Sequence, residues 1–255
     1  MRPILLPIVG AVRADMCERL DAVNALGRGL SREEIALLWE FLSSPPAAQE
    51  KNVPDLEGLK NDILNVLRRQ SPPPSGFTET LIGIYRDPAQ DSVIRDYAIQ
   101  HLVVWYEQGA PDTPQARDRI RAALFEAAGE SGSIAGTALL GLHLLSAEDP
   151  ALGQDDINRV ALRLVCSAKT QVASRITAIQ VCAERGLKEA VPAIQAVAEA
   201  QGCVPLRLSA LAALARLNAG QQARALGRVW VDDDQAAPAG ARVAYPQPEQ
   251  KPVAF

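Results

Sequence analysis

Apolar residues recur along this chain at i, i+3, i+4 and i+7, the spacing of an amphipathic helix, and β-branched runs with period-two alternation are scarce. The pattern predicts paired helices. First members fall at about 4–13, 31–43, 77–86, 114–128, 155–168 and 188–200, and each is followed by a second apolar stripe. Start signals support the placement. Ser31-Arg32-Glu33-Glu34 reads as a capping box, and Thr113-Pro114 puts a cap before a proline at the first helical turn. After Gln222 one further helix is expected, to about Val229. Ser44–Leu56, which opens Ser-Pro-Pro, and Ser71–Gly76, Ser-Pro-Pro-Pro-Ser-Gly, read as loops, because consecutive prolines cannot continue a helix.

The second stripes repeat one octet. Arg207-Leu208-Ser209-Ala210-Leu211-Ala212-Ala213-Leu214 and Arg19-Leu20-Asp21-Ala22-Val23-Asn24-Ala25-Leu26 share Arg, Leu, Ala, Ala and Leu in register. Arg95 to Leu102 and Arg175 to Cys182 fit the same frame, and weaker copies run from Lys60 to Leu67 and from Ala135 to Leu142. Aligned on the first octet alanine, the copies fall at 22, 63, 98, 138, 178 and 210, at intervals of 41, 35, 40, 40 and 32 residues. A period near 40 is that of a helix–turn–helix repeat, in which stacked hairpins bury what one hairpin cannot. Ala98, Ala138, Ala178 and Ala210 are expected where helices meet.

The last unit, with Ala190-Val191-Pro192-Ala193-Ile194 before an Arg-led second helix, resembles the HEAT-repeat family, as does Arg86-Asp87-Pro88 before Val93-Ile94-Arg95. Leu6-Pro7-Ile8-Val9-Gly10-Ala11-Val12 echoes 191–197, which extends the resemblance to residues 4–230. The resemblance implies an all-α fold, an α-α superhelix of about six hairpins over residues 1–230. Residues 231–255, with Asp232-Asp233-Asp234 and four prolines, read as a flexible tail.

Composition narrows the function. A net charge of −4 argues against a nucleic-acid interface, which needs a basic face. No run approaches the length of a membrane span. Cys17, Cys166, Cys182 and Cys203 form no CxxC pair and are expected as reduced, buried thiols. His101 and His143 are the only histidines, and GxSxG, P-loop, GxGxxG and HExxH motifs are absent, so neither catalysis, metal nor cofactor is expected. Trp105 and His101 fall on or beside the buried stripe and read as core. Residues 1–14 have the makings of a secretory signal, which would make the protein periplasmic or secreted. The echo at 191–197 reads them as a first helix instead, with a cytoplasmic location.

Two rows of equivalent positions remain. Arg19, Arg95, Arg175 and Arg207 would make either a ladder for phosphates or carboxylates, or a set of structural bonds to an Asp or carbonyl at the inter-repeat turn. The resemblance implies the second. Five residues on stand Asn24, Asn65, Gln100 and Gln180, with Leu140 and Ala212 completing the series. In a HEAT stack the second helices line the concave surface, so these amides are expected to contact a protein partner, the alternative being a solvated helix face. The expected function is a non-catalytic scaffold, monomeric or within a hetero-complex. The alternatives are a lyase-associated HEAT-type enzyme subunit and nucleic-acid binding through an arginine ridge.

Overall fold

The computed structural model describes residues 7–11, 14–44, 55–108, 114–200 and 203–233. Among them every regular element is helical. After a helical turn at 7–9 come α1 (Met16–Asn24), α2 (Arg32–Ser43), α3 (Leu56–Arg68), α4 (Phe77–Arg86), α5 (Ser92–Glu107), α6 (Pro114–Gly129), α7 (Ser133–Leu145), α8 (Gln154–Cys166), α9 (Val172–Glu184), α10 (Val191–Glu199) and α11 (Val204–Asp233). The pairs α2/α3, α4/α5, α6/α7, α8/α9 and α10/α11 pack as hairpins. The second helices α1, α3, α5, α7, α9 and α11 lie side by side in that order and form one layer, with the first helices behind them.

Local chemistry explains the boundaries. Ser31 Oγ accepts from the Glu34 amide at 3.2 Å while Glu34 Oε2 accepts from the Ser31 amide at 2.6 Å, the capping box read from sequence. Asp91 caps α5 through the Val93 amide at 2.7 Å. Two expectations change. The predicted break near 218–222 is absent, and α11 continues for 30 residues to Asp233, because an isolated Gly220 weakens a helix by only about 1 kcal/mol without stopping it. The helix therefore enters the segment read as tail. Residues 234–255, Thr113 and most of the possible signal at 1–14 lie outside the described residues.

The octet register holds in the packing. Ala98, Ala138, Ala178 and Ala210 are fully buried, as is Ile63 at the same position, and Ala22 nearly so. Small residues there let second helices approach closely, and two glycines mark the tightest contacts. A Cβ on Gly136 would stand 2.8 Å from Ser174 Cα, and one on Gly141 would stand 2.3 Å from Val103 Cγ2. Side-chain bonds recur at separations of about one repeat: Gly29 to Gln70, His101 to Asn61, Tyr85 to Glu130, Tyr106 to Asp149 and Ser174 to Gly132. Trp105 is buried against Phe77, which in turn packs on Trp39.

The repeated arginines share one task. Arg19, Arg95, Arg175 and Arg207 each donate Nε–H to a carbonyl at the end of the preceding first helix: Val9 (2.8 Å), Tyr85 (2.7 Å), Val165 (2.9 Å) and Ala198 (3.2 Å). The last four carbonyls of a helix have no intrahelical donor and sit at the negative end of its dipole, so a guanidinium there is stabilising. The two units without Arg reach the same end differently. Where Ala135 replaces Arg, Arg163 of α8 reaches back to the Ala128 carbonyl at the end of α6. Where Lys60 replaces it, Lys60 Nζ donates to Gln90 Oε1 (3.1 Å) and Gln90 Nε2 donates to the Ser43 carbonyl at the end of α2. Arg19 is buried and Arg95 and Arg175 half-buried; Arg207 is exposed, since no described unit stacks beyond it.

Three cysteines depart from expectation. Cys182 is buried and its thiol pKa is pushed up to about 12 by burial, but Cys17, Cys166 and Cys203 are exposed. They stand at or next to helix ends, where the helical apolar stripe no longer dictates burial. All four are free thiols.

Candidate binding groove on the second-helix layer

Residues in and just before three of the octets form a groove of about 390 Å3, lined by α5, α7 and α9 alone. It is built one turn at a time from equivalent places. Val93, Ser133 and Ala173 stand five residues before the buried octet alanine, and Tyr97, Thr137 and Thr177 stand immediately before it. Gln100 follows by two residues and closes one side. Ala98, Ala138 and Ala178 face the neighbouring helices, and the residue just before each is half-buried on all three helices at once.

The chemistry is mixed and weakly acidic. Asp96 is the one carboxylate among the lining residues, and no cation lines the groove. Gln100 Nε2 donates to Asp96 Oδ2 at 2.8 Å, and Thr177 Oγ1 donates to the Ala173 carbonyl at 3.3 Å. Hydroxyls from Ser92, Thr137 and Thr177, the Tyr97 ring and the exposed Val93 complete a surface able to donate, accept and take up apolar groups. Leu140 and Leu144, 44% and 60% exposed, extend it along α7.

The four amides read from sequence fall on corresponding turns of the layer but do not form an unbroken row. Asn24 is exposed at the end of α1. Asn65 is half-buried, and its Oδ1 accepts from Arg68 at 3.4 Å. Gln100 is exposed and lines the groove, and Gln180 is exposed on α9, with Leu140 on the helix between them. Sequence reasoning missed Tyr97, Thr137 and Thr177. The signal was available, since each immediately precedes an octet alanine in the same frame.

Neither histidine sits in the groove. His101 is buried, its Nε2 bonded to Asn61 Oδ1 at 3.0 Å, and burial, aided by Arg68, lowers its pKa to about 4. His143 ties α7 to α9: Arg185 donates to Nδ1 at 3.3 Å, so Nε2 carries the proton donated to Glu184 at 2.9 Å. Ser146 Oγ donates to the His143 backbone carbonyl at 2.7 Å and to no ring nitrogen. No group of three His, Cys, Asp or Glu residues among the described residues could hold a metal ion, and no described helix is long and apolar enough to cross a membrane. No family model matches the chain, and neither a curated protein nor a solved structure matches it.

Proposed function

We propose that this chain is a HEAT-like, non-catalytic scaffold that binds a polypeptide partner through the exposed face of its second-helix layer, centred on the α5/α7/α9 groove. The observation that carries the reading is the groove's composition. It brings hydroxyls, an amide, a phenol and an exposed valine to one face, with the exposed Leu140 and Leu144 on the same helix layer. Such a surface suits an extended main chain with small apolar side chains, whose N–H and C=O groups need both acceptors and donors. Nucleic-acid binding through the arginine row is disfavoured, because each repeated Arg is bonded to a helix-end carbonyl. The lyase-associated alternative has no observation in its favour. The test is co-purification with a variant carrying Gln100→Ala, Thr137→Arg and Thr177→Arg. It should keep the parent's circular dichroism and lose the partner that the parent recovers. Retention of that partner by the folded variant would remove the groove from the account.

A further inference from the structure

The position one residue after the octet alanine is buried in every unit that another unit follows. Val23, Leu64, Ile99, Leu139 and Ile179 are all fully buried there, each in a unit followed by another. The sixth copy, Leu211, is 51% exposed, with Val204 and Leu208 each 60% exposed beside it. With the exposed Ala215 these residues make one apolar stripe at spacings of four, three and four along α11. That is the seam spacing of two packed helices. A solenoid end with this stripe bare is an unfinished stack, since terminal units ordinarily present a polar outer face.

α11 is also the longest described helix, at 30 residues against 9 to 16 for the others. It spans about 45 Å. Beyond Ala215, the same spacing taken up again 18 residues on brings Gln222, Leu226, Val229 and Asp233, two apolar positions between two polar ones.

We infer that the stripe is covered by a second copy of this chain, through antiparallel pairing of the two α11 helices. A two-fold axis between positions 218 and 219 sets position 211 opposite 226 and position 208 opposite 229, twice over by symmetry, with the small Ala215 opposite Gln222 and the end residue Val204 opposite Asp233. The later half of each α11 then takes the place of the missing next unit on the other copy. Both irregularities, the bare stripe and the overlong helix, have the same cause. The stripe alone, about 18 Å of helix, is too short for the roughly 800 Å2 per partner of a stable dimer. Reciprocal use of the whole helix brings in two stripes and two covering segments. Residues 234–255 are a poorer occupant: Pro238, Pro246, Pro248 and Pro252 exclude a continuous helix, and the seam spacing asks for one.

The full chain should elute with a mass near twice 27.3 kDa by light scattering at tens of micromolar. The folded Leu208→Glu, Leu211→Glu variant should be monomeric at the same concentration. A second measurement reads the register whether or not that variant folds. With Cys17, Cys166 and Cys203 changed to Ser, Asn218→Cys should cross-link to its own counterpart with a short bis-maleimide. Leu208→Cys, about 30 Å from its counterpart across this axis, should not. A monomeric full chain, a dimer that survives the double glutamate change, or cross-linking at 208 in place of 218 would overturn the inference.

Discussion

Replacing Arg175 by Ala tests the repeat's arginine in the middle of the stack. Arg175 Nε donates to the Val165 carbonyl at 2.9 Å, at the penultimate residue of α8, and the side chain is half-buried. Losing a charged donor to a helix-end carbonyl costs about 1.5–3 kcal/mol when the acceptor stays buried. The dipole adds about 0.3–1 kcal/mol at an exposed end. Water can replace part of the bond at a half-buried site, so the loss should be about 1–3 kcal/mol, several degrees in melting temperature for a chain of this size. Two controls sharpen the test. Arg86 pairs with Glu126 on the surface, and Arg86→Ala should cost less than about 1 kcal/mol. Arg163→Ala should behave like Arg175→Ala, because Arg163 serves the Ala128 carbonyl where the octet Arg is missing. Urea titrations followed by circular dichroism give all three numbers. If Arg175→Ala and Arg163→Ala are no more costly than Arg86→Ala, the shared capping task is wrong.

Gly141→Ala should destabilise by about 1–3 kcal/mol through overpacking against Val103, and Val103→Ala should recover part of the loss in a double-mutant cycle; purely additive effects would contradict the close contact. His101 is held neutral, so the unfolded chain binds more protons than the folded one between pH 6.5 and about 4. Its contribution is complete above pH 6.5 and is lost as pH falls toward 4, up to about 3 kcal/mol. His101→Gln should therefore flatten the stability-versus-pH curve in that window, and an unchanged slope would show that the imidazole is not shielded.

The fold was legible because its signal is periodic. An alanine at intervals of 32 to 41 residues and an arginine three positions before it recur in most units, with Ile63, Lys60 and Ala135 as the exceptions, and mark where the second helices pack. What was not legible depends on partners distant in sequence. Nothing in Arg163 marks it as the substitute for a missing octet arginine, because its acceptor lies 35 residues away. Gln70 holds the 27–30 loop through both amide atoms, yet reads in sequence as an ordinary polar residue after a helix. Of the four amides read from sequence, Gln100 lines the groove; the groove is also shaped by the turn before it, where Tyr97, Thr137 and Thr177 share a frame position but not a side-chain type. The sequence reading placed a separate helix after Gln222, whereas α11 runs unbroken from Val204 to Asp233.

The most direct test of the binding account is site-specific photo-cross-linking. A benzophenone amino acid placed at Gln100 or Gln180 reports what touches the second-helix face, and the same group at Arg159, exposed on α8, reports background. The account predicts a discrete, protease-sensitive adduct from positions 100 and 180, absent from position 159. Equal labelling at all three positions, a nuclease-sensitive adduct, or none at 100 and 180 would contradict it.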